Sequence, residues 1–198
     1  MPSLGDSGLF HVGTVQTTNG TTETLSFTDI SPDYRHLSFI ITGAFDYNLA
    51  YPRLCGFWMG DGSYDTSASY NRGICWGYNT TGARYGDNRQ TYATMGYLPN
   101  TQSSGTTAWK TGFIGVIQGT IWNYSDSNKA TTVTWTCQTP YENPTQVAGG
   151  ATTTYPYWAW GWCNYRVANV VDHFQFRAVS DSIDFVQGSK ISLFGFIE

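Results

Sequence analysis

The chain has 198 residues and a net charge of −4, and only 12% of its residues are charged whereas 17% are aromatic. This length is enough for one domain with its own hydrophobic core, so neither disulfides nor a metal are required for stability. The ten Lys and Arg residues are scattered, which argues against the basic footprint of a nucleic-acid-binding protein. No stretch approaches the ~20 apolar residues that a membrane-spanning helix needs, so we expect no membrane partner.

The first residues and the cysteines indicate a compartment. The sequence MPSLGDSGLF lacks the positive start and the apolar run of a signal peptide, so we expect synthesis in a cytoplasm. In such a reducing compartment the default expectation is four buried thiols, and a disulfide is the alternative. The four widely spaced cysteines are Cys55, Cys75, Cys137 and Cys163.

The composition predicts an all-β fold, because β-branched and aromatic residues favour strands while Gly and Asn favour turns. We expect residues 1–10 to form an N-terminal arm and residues 11–198 to form a single antiparallel β-sandwich or jelly-roll domain. The predicted strands lie, in chain order, near residues 11–17, 25–30, 34–45, 53–59, 70–78, 92–97, 111–124, 131–138, 155–165, 170–179 and 190–197.

Clusters of Gly, Asn, Ser and Pro mark the predicted connections between these strands. Residues 18–21 (TNGT) are typical of a tight hairpin, since Asn and Gly both accept positive φ. Residues 61–63 (DGS) predict a turn, and residues 79–110 carry two turn clusters around one short strand. Residues 139–154, with two Pro and a Gly pair, are interpreted as a long surface loop.

The three histidines give no sign of a catalytic or metal site. His11, His36 and His173 lack the spacing of a metal-binding motif. His36 lies on a predicted strand, where a histidine that lines a face or is satisfied by its neighbours is the simpler interpretation. Asp172 directly precedes His173, but strand neighbours point to opposite faces, so we do not expect the two to cooperate.

Asp61 and Asp65 are the one acidic pair that invites a functional interpretation. Two carboxyls across a cleft would suit a glycosidase, and alternate acidic residues in a Gly-containing loop would suit Ca²⁺. Turn chemistry explains the same residues more simply, since the Glu of an EF-type loop is missing. We therefore expect no catalytic residue, no metal ligand and no cofactor, and a protein that is not an enzyme.

The most aromatic segment is YPYWAWGWCNY at residues 155–165. Trp158, Trp160 and Trp162 occupy alternate positions, so on a strand all three indoles project from one face. One interpretation places them in the core, with Ala159, Gly161 and Cys163 behind them, and adds contact with a neighbouring subunit; this is the expectation. The alternative is a surface platform on which a glycan stacks.

Large apolar side chains in segments bounded by turns are the candidates for an interface with another protein. They are Leu9, Phe10, Trp109, Tyr155, Trp158, Trp160 and Trp162.

Three segments, taken in order, resemble a family of small structural proteins of tailed bacteriophages. The first is F-x-x-I-x-x-x-Y-R-x-L at residues 27–37, and the second is WMGDGSY at residues 58–64, followed by Tyr70. The third is GSKISLFGF at residues 188–196, in which Phe194 stands where the family usually has Tyr. Residues 79–165 are unmatched, so the resemblance covers both ends and part of the middle.

The resemblance implies a virion β-sandwich, commonly a homotrimer, made in the host cytoplasm. Such proteins sit on the head as decoration proteins, or on the tail as a fibre or its tip. Because the chain shows no fibrous shaft, we expect a capsid decoration protein that stabilises the head by contacts with the major capsid protein. The alternative is a tail component that contacts other tail proteins and binds a host receptor or glycan.

Overall fold

A computed structural model of the protein shows antiparallel β-strands, and no helix, in the residues that it describes. These residues are 8–19, 22–46, 53–78, 81–99, 114–142, 154–179 and 183–197. The prediction of an all-β sandwich is confirmed.

Two sheets contain nearly all of the strands. The strands are β1 (Gly8–Gln16), β2 (Thr24–Phe27), β3 (His36–Gly43), β4 (Phe45–Asp46), β5 (Arg53–Gly60), β6 (Tyr70–Tyr78), β7 (Thr81–Gln90), β8 (Ala93–Leu98), β9 (Gly115–Trp122), β10 (Thr132–Glu142), β11 (Thr154–Tyr165), β12 (His173–Ala178), β13 (Asp184–Phe185) and β14 (Lys190–Ile197). The large sheet has the spatial order β1–β14–β3–β9–β10–β11–β6–β7, and the small sheet has the order β2–β12–β5–β8. β4 and β13 form a short ladder of their own.

The hydrophobic core lies between the large and the small sheet. Leu37, Phe39 and Ile41 of β3 are fully buried, as expected for alternate residues on one face of a strand. The ring centroid of Phe39 lies 5.8 Å from that of Phe176 on β12, so the two sheets meet directly. Every second residue of the large sheet is thereby left on the opposite side, which we call the outer face.

The inner side of β11 accommodates only small side chains at its centre. Gly161 lies opposite Trp135 of β10, and a Cβ added at Gly161 would be 2.5 Å from Cζ2 of that indole. Ala159 and Cys163, on either side of Gly161, are buried as well. Because the indole of Trp135 fills this level of the core, the tryptophans of β11 must face outwards.

β8, an edge strand of the small sheet, packs directly against β10 and β11 of the large sheet. It therefore sets the distance between the two sheets in this region. Gly96 has a φ of +90°, and a Cβ at this position would lie 2.6 Å from Cβ of Cys137. The ring of Tyr97 meets that of Tyr157 edge-on at 4.7 Å. A glycine is therefore required at residue 96 both for its backbone conformation and for the close approach of the two layers.

The boundary expected for the N-terminal arm is wrong at residues 8–10. β1 begins at Gly8, and Leu9 and Phe10 pair with Phe196 and Gly195 of β14. Backbone pairing with β14 extends the strand towards the N-terminus, and the local composition does not reveal that partner. Residues 1–7 lie outside the described residues.

The hairpin predicted between the first two strands is also wrong. β1 pairs with β14 in the large sheet, whereas β2 pairs with β12 in the small sheet. Leu25 of β2 is fully buried, so burial in the core decides where β2 lies. The turn preference of an Asn-Gly pair is local and does not determine which strands pair.

The expected loop at residues 139–154 is wrong at both ends. β10 continues to Glu142 and β11 begins at Thr154, with Pro140 opposite Pro156. Among the described residues, β9 accompanies β10 only as far as Gln138, so Pro140 has a described partner on one side only. A proline is tolerated at such a position because fewer ladder hydrogen bonds need its missing N–H. Residues 143–153 lie outside the described residues.

β7 was not expected, because its sequence lacks the alternation of apolar and polar residues that marks a half-buried strand. It is the edge strand beside β6, and most of its described side chains are exposed. An ion pair at 2.9 Å joins Asp87 of β7 to Arg72 of β6. Pairing with a neighbouring strand therefore outweighs weak local patterning here.

Replacing Gly161 with Ala should destabilise the protein by about 1–3 kcal/mol, since the new methyl group would overpack the core against Trp135. Gly86→Ala is the matched control, because a Cβ at Gly86 on edge strand β7 would only reach ordinary contact at 3.4 Å from the Arg72 carbonyl oxygen. Urea unfolding should give a change within about 0.5 kcal/mol for the control. Equal changes for the two variants would contradict this account of the core.

Candidate functional site

The outer face of the large sheet carries its side chains in straight rows, because the register is unbroken from β14 to β6. One row consists of Phe194, Ser38, Thr120, Thr134 and Trp162, and the next consists of Ser192, Ile40, Gln118, Thr136 and Trp160. Neighbouring strands lie ~4.8 Å apart, and alternate residues along a strand lie ~6.8 Å apart. The rows therefore form a regular lattice of hydroxyl, amide and aromatic groups.

Trp158, Trp160 and Trp162 form a ridge on this face, which we call the tryptophan ridge. Their side chains are 47%, 52% and 41% exposed, respectively. The expectation that they fill the core is wrong, because Trp135 occupies the interior at this level and leaves room only for Gly161 behind the ridge. Three half-exposed indoles in a line are unusual for a protein surface in water and make this face a candidate for binding.

A groove of about 600 Å³ crosses β3, β9, β10 and β11 and meets the tryptophan ridge at Trp160 and Trp162. We call it the threonine groove. Its outward-facing side chains are those of Ser38, Ile40, Gln118, Thr120, Thr134, Thr136, Trp160 and Trp162. Every residue that lines it is uncharged, so any ligand would meet hydroxyls, one amide, one aliphatic side chain and two indoles.

Hydrogen bonds hold part of the groove floor in place. The Trp122 Nε1–H donates to the Thr134 hydroxyl oxygen at 3.0 Å, so the Thr134 O–H is left to donate elsewhere. Ser38 donates to the carbonyl oxygen of Gly119 at 3.2 Å. The side chains of Gln118, Thr120 and Thr136 make no hydrogen bond within the described part of the chain. The groove thus presents two indoles beside polar groups that can make further hydrogen bonds.

The opposite side of the tryptophan ridge is different. A shallower depression of about 390 Å³ lies there over β6 and β7, with Arg84 and Cys75 among its lining residues. Gly73 lies beneath the ridge, and a Cβ at that position would be 2.7 Å from Nε1 of Trp162. The Trp162 indole therefore covers the backbone of β6, and this side offers a cation and glycines in place of the Ser and Thr side chains of the groove.

The interface residues expected from the sequence are only partly brought together. Leu9 is 55% exposed and lies in the outer-face row of Phe196. Phe10 points the opposite way, because neighbouring residues of β1 alternate between the two faces. Trp109 lies outside the described residues, and of Tyr155 only the backbone in β11 is described.

Several exposed apolar residues on the outer face were missed from the sequence. They are Ile40 on β3 and Val116 and Trp122 on β9. Trp122 follows the buried Ile121, so alternation along β9 could have placed it outside. Nothing local to these residues shows that they share a face with Trp160, because strand order is a tertiary property.

The Asp172–His173 contact corrects an expectation from the sequence. His173 Nδ1 lies 2.6 Å from Asp172 Oδ1, which also accepts a hydrogen bond from the Gly62 amide at 2.8 Å. Asp172 lies just before β12, so the alternation of a regular strand does not separate the two side chains. Burial would raise the pKa of Asp172, but the bonds from His173 and Gly62 outweigh it and lower the pKa. His36 Nδ1 accepts from the Asn123 amide at 3.1 Å, so this histidine is satisfied.

The loop of Asp61 and Asp65 is built as a structural turn. The two Asp65 carboxylate oxygens accept from the Ser67 amide at 2.7 Å and from the Tyr165 hydroxyl at 3.0 Å. Burial alone would raise the pKa of Asp65, but these bonds and one from Ser69 lower it. Burial and the bond to Asp65 raise the pKa of Tyr165, which keeps its hydroxyl a donor.

Metal-ligating and thiol groups form no cluster in the described ranges. No group of three His, Cys, Asp or Glu side chains there is placed to hold a metal ion. The four cysteines are free thiols; Cys55, Cys137 and Cys163 are buried as expected, whereas Cys75 is half-buried. The described segments also contain no helix with the length and hydropathy needed to cross a membrane.

Tyr165→Phe should destabilise the protein by about 1–2 kcal/mol at neutral pH, because Asp65 loses a partly buried hydrogen bond. The folded-state pKa of Asp65 is lowered, so its stabilising contribution is present above about pH 4 and is lost as the pH falls below that value. The deficit of the variant, measured by urea unfolding, should therefore shrink at pH 3. Tyr64→Phe is the control, expected to change stability little at either pH. A deficit independent of pH would contradict the assigned bond.

No family model, no curated protein and no solved structure matches this chain. The resemblance to virion proteins of tailed bacteriophages, which depends on three short segments, stays a prediction. The functional interpretation consequently depends on the geometry and chemistry of the outer face.

Proposed function

We propose that this protein is a structural component of a bacteriophage virion and that it acts by non-covalent binding through the outer face of its large sheet. The observation that carries the proposal is the tryptophan ridge, where three half-exposed indoles stand beside an uncharged groove. Exposed aromatic clusters of this kind are typical of binding surfaces, and Trp is enriched among the residues that dominate binding energy.

The ridge can supply a useful binding free energy. If about half of the ~200 Å² of each indole is buried on contact, three indoles contribute about 7 kcal/mol before the costs of association are subtracted. Few ions would need to be desolvated, since the neighbouring groove is uncharged. Such a surface suits a long-lived contact between virion proteins.

The role we propose first is that of a capsid decoration protein whose partner is the major capsid protein. A protein that binds the assembled shell but not its separated subunits stabilises the shell by mass action. No bond is made or broken in this mechanism, in keeping with the structural use of Asp65 in its loop.

A second candidate is a tail component that binds a glycan on the host surface. The observation that favours it is the position of Trp160 and Trp162 beside a groove lined with hydroxyl and amide groups. A protein partner and a sugar can each bury the indoles of the ridge. The two candidate functions therefore use the same face but differ in the partner that binds there.

Particles that lack this protein should assemble but lose their contents at a lower temperature than complete particles. Adding back the purified protein should restore heat resistance, whereas a Trp158→Ala/Trp160→Ala double variant should restore little of it, because two anchors of the contact are missing. Lys129→Ala, which removes an exposed side chain in the turn between β9 and β10, is the control.

The measurement is the temperature at which packaged DNA becomes accessible to a fluorescent dye. Full restoration by the double variant would contradict docking through the ridge. Heat resistance that does not depend on the protein at all would contradict the decoration role.

A further inference from the structure

We infer that the threonine groove is a binding site for an uncharged oligosaccharide. This inference deepens the proposed function and rests on it only in taking the outer face as the binding surface. The argument comes from the aromatic wall of the groove, from its unsatisfied polar groups and from its lack of charge.

The aromatic wall provides stacking surfaces at a fixed spacing. Trp160 and Trp162 are alternate residues of one strand, so their attachment points lie ~6.8 Å apart. A pyranose ring has an apolar face of C–H groups that stacks on an indole, while its hydroxyls project around the rim. Trp160 and Trp162 therefore offer stacking surfaces for sugar rings at the end of the groove where it meets β11.

The floor of the groove matches the hydroxyls of a sugar. Thr hydroxyls and the Gln amide each donate and accept, as sugar hydroxyls do. Gln118, Thr120 and Thr136 have no hydrogen-bond partner among the described residues, and the Thr134 O–H is free to donate because its oxygen already accepts from Trp122. A protein partner that covered these groups and excluded water would leave several of them without a hydrogen bond, at a cost of about 1–3 kcal/mol each.

The absence of charged residues from the groove indicates which class of sugar it favours. None of its lining residues is charged, so an acidic sugar would lose hydration there without gaining a cation in return. Arg84 lies on the opposite side of the tryptophan ridge, in the depression over β6 and β7. A neutral oligosaccharide is therefore the ligand that the groove favours.

The polar groups of the groove are also held in a fixed arrangement before a ligand binds. The unbroken register of β3, β9, β10 and β11 fixes the rows of polar groups relative to the indoles. The bond from Trp122 to Thr134 and the bond from Ser38 to the Gly119 carbonyl orient two floor residues before anything binds. Preorganisation of this kind lowers the entropic cost of binding.

The test is titration of the full chain with neutral hexasaccharides, namely cellohexaose, laminarihexaose, maltohexaose and mannohexaose, with hexagalacturonate as the acidic comparison. Calorimetry and intrinsic Trp fluorescence report binding. We expect at least one neutral hexasaccharide to bind at one site per chain and hexagalacturonate to bind at least about tenfold more weakly. Failure of every neutral hexasaccharide to bind, or preference for the acidic one, would overturn the inference.

Variants locate the site within the outer face. Trp160→Ala should weaken binding by about tenfold or more, and Thr136→Val, which removes only a hydroxyl, by about threefold to tenfold. Leu9→Ala is the control, since Leu9 is an exposed apolar residue on β1 that lies outside both the ridge and the groove; the affinity of this variant should stay within about twofold of the wild type. Equal losses for Leu9→Ala and Trp160→Ala would overturn the assignment to the groove.

Thermal unfolding of each variant separates loss of the site from loss of the fold, and Thr136→Val keeps the test valid if Trp160→Ala is unstable. The inference and the proposed function also fail in different ways. Heat resistance that depends on the ridge, without any hexasaccharide binding, would support decoration and overturn the glycan site. If the protein binds a hexasaccharide but leaves particle stability unchanged, the glycan site would be supported and the decoration role would be overturned.

Discussion

The indole of Trp135, packed against the bare backbone of Gly161, is the contact on which the arrangement of the large sheet depends. A Cβ at Gly161 would lie 2.5 Å from that ring, so no larger residue fits behind β11 at this level. The Trp135 N–H has no hydrogen-bond acceptor within the described ranges, which means that apolar packing holds the ring. A shift of β11 by one residue would drive bulky indoles into this space.

The same contact creates the outer face. Because the inner positions of β11 are taken by Ala159, Gly161 and Cys163, the intervening tryptophans stand in solvent beside Thr134 and Thr136 of β10. The groove then arises where two further strands, β9 and β3, continue the rows. Indoles, hydroxyls and one amide from distant parts of the chain thus become neighbours without any change in their local conformation.

Several elements could be predicted from sequence alone. The bounds of β6 and β14 agree with the expected strands, and the alternation of tryptophans in β11 correctly placed the three indoles on one face. Their direction was predicted wrongly, since a period of two does not say which face meets the core. The hairpin expected between β1 and β2 failed for a related reason, because the actual partners of these strands, β14 and β12, are distant in sequence. β7 was missed because its sequence lacks alternation, although it pairs with β6, the strand just before it.

The sequence by itself determined the all-β class, most strand positions and the placement of three tryptophans on one face of β11, since strand propensity and alternation are local properties of a chain. Only the tertiary structure decided that these tryptophans face outwards as the tryptophan ridge and that the ridge borders the threonine groove. Those features depend on how β3, β9, β10 and β11 align and on which indole fills the interior. Both follow from packing between segments that are far apart along the chain, where local preference carries no information.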